Sequence, residues 1–233
     1  MEPFTALERA VSRPPVHGAA LEAYLAYYGQ LAAERRELRG ATVLHSPGSP
    51  LLGANAAYAE DEEGLTRAAL WLHARGAPAL FASARPLTGR AVLSLTLGRY
   101  RRTADPSSET LVEQVSGQHL ALTARLLAEG WDLPDWAPAL NLTLGRALEG
   151  RRDAIWLVAY AGGEPVGTLL LLGEAAHLWG VTRPKALAPL LDAAAELAGG
   201  AVETSLPEGW TLPLTASSPL HFHLGRSPLD ALN

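Results

Sequence analysis

The chain has 233 residues, 48% of them hydrophobic, a formal net charge of −5 and no cysteine. That length and apolar content describe a globular protein of one large domain or two small ones, not a disordered chain. The acidic balance leaves no basic footprint for nucleic acid, and the missing cysteine excludes disulfides, thiol chemistry and cysteine-built zinc sites.

The opening residues MEPFTALERAV carry acidic positions and no long apolar core, so they do not read as a signal peptide. No apolar run is long enough to span a bilayer, so a cytoplasmic protein with no membrane partner is expected. Residues 4–11 suggest a short helix cut by Pro14-Pro15. Residues 19–38 form a longer helical pattern, with Leu21, Tyr24, Leu25, Tyr28 and Leu31 near i, i+3, i+4 spacing. Arg35 and Arg36 suit its negative end, and Gly40 terminates it. A strand at 42–45, a Pro/Gly loop at 46–53, a helix at 62–74 ended by Gly76, and strands at 79–84 and 90–101 follow.

Asp105, Pro106, Ser107 and Ser108 make a turn or linker. Beyond it lie a strand at 111–115 and helices at 117–129 and 134–148. Two apolar runs, 155–161 and 166–172, are joined by Gly-Gly-Glu-Pro, a hairpin signal. A third run, 175–181, leads into Thr182, Arg183, Pro184 and Lys185. Pro189 is comfortable only in the first turn of a helix, which places a helix start near Ala188 and leaves 182–187 as loop. Gly199-Gly200 ends that helix, and strands at 201–205 and 220–224 close the chain, the last also readable as a helix start. A basic loop at a helix N-terminus is an anion site, built from backbone N–H groups, the helix dipole and here Arg183 and Lys185.

The order hairpin, strand, basic loop and helix resembles the core of the GNAT N-acetyltransferase family. Gly163, Val166 and Gly167 match the family hairpin, Trp179-Gly180-Val181 its strand end, and Leu190-Leu191 with Ala193–Ala195 its helix. The family loop, Arg or Gln followed by spaced glycines, is not matched: there is no glycine between Gly180 and Gly199. The resemblance implies an α/β (α+β) fold, a mixed, mostly antiparallel sheet flanked by helices. It implies acetyl-CoA as co-substrate, bound along Trp179, Gly180, Val181, Thr182, Arg183 and Lys185, and no metal. The reaction would be direct acyl transfer to a primary amine of a small molecule or peptide. A strand bulge would supply a backbone N–H to polarise the thioester.

Candidate proton-transfer groups follow from the same resemblance. Alternation puts His177, Trp179 and Val181 on one face, where His177 is a candidate base, and Glu203 on the next strand is the carboxylate alternative. His221 stands where the family often has an acidic Tyr. His221-x-His223 lacks further ligands with zinc spacing, so no metal is assigned. Trp131 and Trp136 bracket a loop on the expected acceptor side and are candidates for a substrate wall.

Leu97-Gly98-Arg99 and Leu224-Gly225-Arg226 each follow a Gly-ended helix and a strand, which reads as a weak internal repeat. On that reading, residues 1–105 are a reduced GNAT-like half and 106–233 the more complete one, with 62–101 corresponding to 187–226. A catalytically inactive GNAT-fold protein that binds a ligand or partner is the competing reading. A Trp-rich oligomerising scaffold, for instance a homodimer, is the third.

Overall fold

The computed structural model describes residues 18–87, 89–103 and 110–225. The helix expected at 4–11, the linker at 105–108 with the proposed boundary between halves, and Arg226 of the second Leu-Gly-Arg lie outside these residues. In chain order the elements are α1 (Ala19–Gly29), β1 (Glu34–Leu38), β2 (Ala41–His45), β3 (Ala57–Ala59), α2 (Glu62–His73), β4 (Leu80–Ser83) and β5 (Arg90–Arg101). Then come β6 (Thr110–Val115), α3 (Leu120–Gly130), α4 (Ala137–Ala147), β7 (Ala154–Ala161), β8 (Glu164–Leu172), β9 (Ala175–Val181), α5 (Leu187–Leu197), β10 (Ala201–Pro207) and β11 (Leu214–Leu224).

Among the described residues the strands form one 11-stranded sheet in the order β1-β2-β3-β4-β11-β5-β10-β9-β8-β7-β6. Only β3 with β4 and β9 with β10 run parallel; the other neighbours are antiparallel. The architecture is the expected mixed, mostly antiparallel sheet flanked by helices. One apolar cluster gathers α1, α3 and α4 on one face, through residues such as Tyr27, Leu127, Leu140, Leu170 and Phe222. The opposite face carries α5 over Leu169, Leu171 and Val202, and α2 over Val43, Ala57 and Phe81. Helix α5 buries Leu187, Leu190, Leu191, Ala194 and Ala195, the i, i+3, i+4, i+7 stripe its sequence carries. Among the described residues no helix is long and apolar enough to cross a membrane.

Several boundaries move, for tertiary reasons. The helix expected over 19–38 stops at Gly29, and Glu34–Leu38 is the strand β1. Glu, Arg and Leu are good helix formers, yet this segment pairs residue for residue with β2 across an Arg39-Gly40 turn. Gly40 makes that turn at φ +79°, a conformation open to glycine at little cost. Its four charged residues also blunt the sheet edge. The loop expected over 182–187 is instead partly ordered, with a 3-10 turn at Pro184–Ala186 feeding α5 from Leu187. Pro189 still falls in the first turn, where a missing N–H costs little.

The sheet order reads alike outwards from its middle. Strands β11 and β5 lie side by side, flanked by β4 and β10, then β3 and β9, then the hairpins β1-β2 and β7-β8. The chain order hairpin, strand, helix, strand, strand occurs twice, as β1-β2-β3-α2-β4-β5 and β7-β8-β9-α5-β10-β11. Strand β11 sits between β4 and β5, and β5 between β11 and β10, so each closing strand fills a place among the other set's strands.

Candidate functional site

Strands β9 and β10 pair only at Ala175 with Glu203 and Ala176 with Thr204. Beyond those pairs they part, so β9 runs on to Val181 and β10 to Pro207 without a shared ladder. At the parting point β9 is irregular. Leu178 faces Leu170 and Ala175 faces Leu172, so β9 spends one residue more than β8 over this stretch, a bulge. The bulge breaks the alternation expected for His177, Trp179 and Val181. Trp179 and Val181 pack on the α5 face. His177 turns to the other side, its ring edge against Tyr24 at 4.9 Å and Tyr27 at 5.2 Å between centroids.

Carbonyls released by the parting are met by side chains, as buried acceptors must be. Thr204 Oγ1 donates to Ala176 O at 2.7 Å, and Tyr28 OH to His177 O at 3.3 Å. Trp131 Nε1 donates to Trp179 O at 2.8 Å. Trp179 itself reaches across the fork, its Nε1 donating to Ser205 O at 2.9 Å, and its ring meets Trp210 edge-on at 5.2 Å. The cleft is therefore bridged by an indole. Helix α3 closes over the strand end: a Cβ on Gly180 would lie 2.8 Å from Leu127 Cα, and one on Gly130 2.3 Å from Val181 N. Only glycine permits that approach.

Beside the fork opens a cavity of about 590 Å³. His177, Trp179, Trp131 and Trp136 all line it. Its other walls come from Tyr28 of α1, Leu51–Gly53, Leu93 and Leu95 of β5, Ser205 of β10 and Trp210. These were not singled out from sequence; Tyr28 showed only as one apolar position in a helical stripe, and Leu93 and Trp210 carried no local signal. His177 is 5% exposed, and neither Nδ1 nor Nε2 has a hydrogen-bond partner. Burial pushes its pKa down to about 3, so the imidazole is neutral at physiological pH. A base that weak is poorly matched to deprotonating an ammonium.

The remaining candidates lie elsewhere. Glu203 is 3.9 Å from Arg99 and does not line the cavity. His221 Nδ1 lies 3.0 Å from Ser94 Oγ between β11 and β5, also away from it. His223 Nε2 accepts from Leu87 N–H at 3.3 Å. In the basic loop, Thr182 N–H and Oγ1 both donate to Val166 O. Ala186 N–H donates to Arg183 O and Leu187 N–H to Pro184 O, while Pro184 and Pro189 have no N–H. Few backbone donors remain for an anion. Arg183 and Lys185 are exposed, and Arg183 pairs with Glu164 at 3.1 Å. Helix α2 has Asp61 at its N-cap and Glu62 and Glu63 in its first turn, and Asp61 accepts from Gly64 N–H at 2.6 Å. Acidic side chains at a helix N-terminus disfavour an anion there.

The fold as a whole is similar to that of several solved structures. A GCN5-related N-acetyltransferase from Kribbella flavida aligns over 91% of this chain and 98% of its own, with a TM-score of 0.61 and 12% identity. The fold is that of the GNAT N-acetyltransferases. A functionally unknown conserved protein from Staphylococcus epidermidis is similar over 82% of this chain and 93% of its own, with a TM-score of 0.57 and 10% identity. A protein ascribed to the GNAT family from Novosphingobium aromaticivorans is similar over 89% and 97%, with a TM-score of 0.50 and 10% identity. No family sequence model and no curated protein sequence matches the chain. In this chain β7 and β8 form the hairpin, β9 the bulged strand, α5 the helix that follows it and β10 the parted neighbour.

Proposed function

We propose that this protein transfers an acyl group, acetyl in the simplest case, from coenzyme A to a primary amine of a small molecule or peptide. The observation that carries this reading is the bulged β9 parting from β10 beside a cavity of about 590 Å³. A bulge at such a parting is where a thioester carbonyl can meet backbone N–H donors. Arg183 and Lys185, at the start of α5, hold the coenzyme phosphates, with Arg183 exchanging Glu164 for phosphate oxygen. The amine lone pair attacks the thioester carbon, the C–N bond forms, the C–S bond breaks, and the proton lost by the amine ends on the thiolate. Water in the cavity relays this proton, because His177, buried and neutral, is too weak a base to take it. Glu203 and His221, away from the cavity, take no part.

The repeated element order supports a further reading, that the chain is a tandem pair of GNAT-like halves with exchanged closing strands. The acidic α2 end makes the first half a non-binding copy, whose task is to supply Tyr28, Leu51, Leu93 and Leu95 to the cavity wall.

One observation favours a second function. The Trp179 indole bridges the fork to Ser205 O, across the path a pantetheine arm would take. A protein that keeps this bridge binds a ligand in the cavity without catalysis. Calorimetric titration with acetyl-CoA at low salt, followed by a thiol-release assay over a panel of amines, decides between them. Binding with turnover supports acyl transfer; no heat at millimolar acetyl-CoA supports the non-catalytic reading.

A further inference from the structure

We infer that the cavity beside the fork takes an organic cation, a quaternary or protonated amine on an apolar body, held by the rings of Trp131, Trp136 and Trp210 and the carboxylate of Asp132. For acyl transfer this names the acceptor as an amine with a second, cationic nitrogen, and that clause alone rests on the reading above. The groups such a ligand needs are within its reach. Trp131, Trp136 and Trp210 line the cavity and are only half-buried, and Asp132 lines it and is exposed. No lysine or arginine stands among the described lining residues, and Asp132 is the one acidic side chain there. The space therefore offers a single sign of charge beside several indoles.

The face of an indole is negative and is the best aromatic partner for a cation. The positive N–H edge of Trp131 is spent on Trp179 O, and that of Trp179 on Ser205 O. His177 adds no opposing charge, since burial lowers its pKa to about 3 and keeps it neutral. Asp132 is not the residue its own backbone would select. It has φ +59°, and Leu133 N–H donates back to Ala128 O at 2.8 Å, closing α3. Glycine is the usual residue at such a turn. An acid is also the unfavourable sign at the C-terminal end of a helix. Among the described residues no side chain or backbone group pairs with its carboxylate. What makes Asp132 costly for the helix makes it useful for a cation: the negative end of α3 and the carboxylate add at one mouth. An anion meets that field and binds worst. A neutral apolar molecule gains burial but no attraction to the ring faces. The volume, about 590 Å³, is within the range of small-molecule sites and far beyond what an acetyl group fills.

The test uses the full chain without coenzyme A and three probes of similar shape: benzyltrimethylammonium, its uncharged isostere neopentylbenzene, and the anion benzylsulfonate. Titration calorimetry at low salt should show benzyltrimethylammonium binding at least about tenfold tighter than either of the others. Asp132→Asn, which keeps a residue tolerant of the left-handed turn, should weaken the cation at least about threefold and leave neopentylbenzene unchanged. Trp136→Leu should weaken the cation more than the isostere, and Trp210→Leu reads the same effect from the other wall. Equal binding of cation and isostere to the unmodified protein overturns the inference, as does preference for benzylsulfonate, or no heat with millimolar benzyltrimethylammonium. These outcomes need no variant to fold. Cation binding unmoved by Asp132→Asn also overturns it. A thiol-release assay with acetyl-CoA, comparing benzylamine with para-aminomethyl-benzyltrimethylammonium, separates the two readings. Cation binding with no turnover of either amine refutes acyl transfer and keeps the cavity's ligand class; equal turnover of both amines, with no cation bound, does the reverse.

Discussion

Trp179 Nε1 donates to Ser205 O at 2.9 Å, tying β9 to β10 just beyond the last backbone pair, Ala176 with Thr204. The strand ladder has ended there, so the indole replaces it. Trp179→Phe would keep most of the ring volume and leave the buried Ser205 carbonyl unmet. We expect a loss of about 1–3 kcal/mol, the cost of an orphaned buried acceptor. Urea unfolding measures it, and an unchanged midpoint would show that the bridge carries no stability.

Gly180→Ala tests how closely α3 seats on the strand. The new Cβ would lie 2.8 Å from Leu127 Cα, which is backbone and cannot rotate away. Overpacking of this kind costs about 1–3 kcal/mol. Gly150→Ala is not an equivalent control, because Gly150 has φ +73°. Gly117→Ala is suitable, with nothing within 4 Å of its added Cβ, and should change stability far less.

On the proposed acyl-transfer reading, coenzyme A binding leans on cations, because few backbone donors remain at the loop. Arg183→Ala or Lys185→Ala should each weaken acetyl-CoA by at least about tenfold at low salt, and the affinity should fall steeply as salt rises. Glu164→Gln should act in the opposite direction by freeing Arg183 from its 3.1 Å pair. Calorimetry across a salt series reads all three; a salt-independent affinity would remove the phosphate role of this loop.

His177 should leave a mark on the pH dependence of stability. Burial lowers its pKa from 6.5 to about 3, so the unfolded chain binds a proton here that the folded one refuses. The contribution is therefore complete above the unfolded value of 6.5 and is lost as pH falls from there towards about 3. The slope approaches about 1.4 kcal/mol per pH unit. His177→Phe should flatten the curve between pH 6 and pH 5, above the range where most carboxylates titrate. Parallel curves for the two proteins would show that the ring is not buried neutral.

The features legible in the sequence are local. The Gly-Gly hairpin, the run over Ala175–Val181, and the α5 stripe of Leu187, Leu190, Leu191 and Ala194 each carry a turn residue or a period readable within a few positions. The resemblance to the GNAT core rested on those same segments. Tertiary structure decided the rest. Glu34–Leu38 has a helix-forming composition and becomes a strand only because β2 offers its edge. His177 leaves the expected face because a one-residue bulge between β9 and β8 reverses the alternation, and nothing in the run from Ala175 to Val181 encodes that slip. The cavity joins Tyr28, Leu93, Trp131, His177 and Trp210 from across the chain, residues that ordinary packing could equally have used as core. Leu93 reaches it on β5, which sits between β11 and β10, a long-range pairing that no local pattern announces.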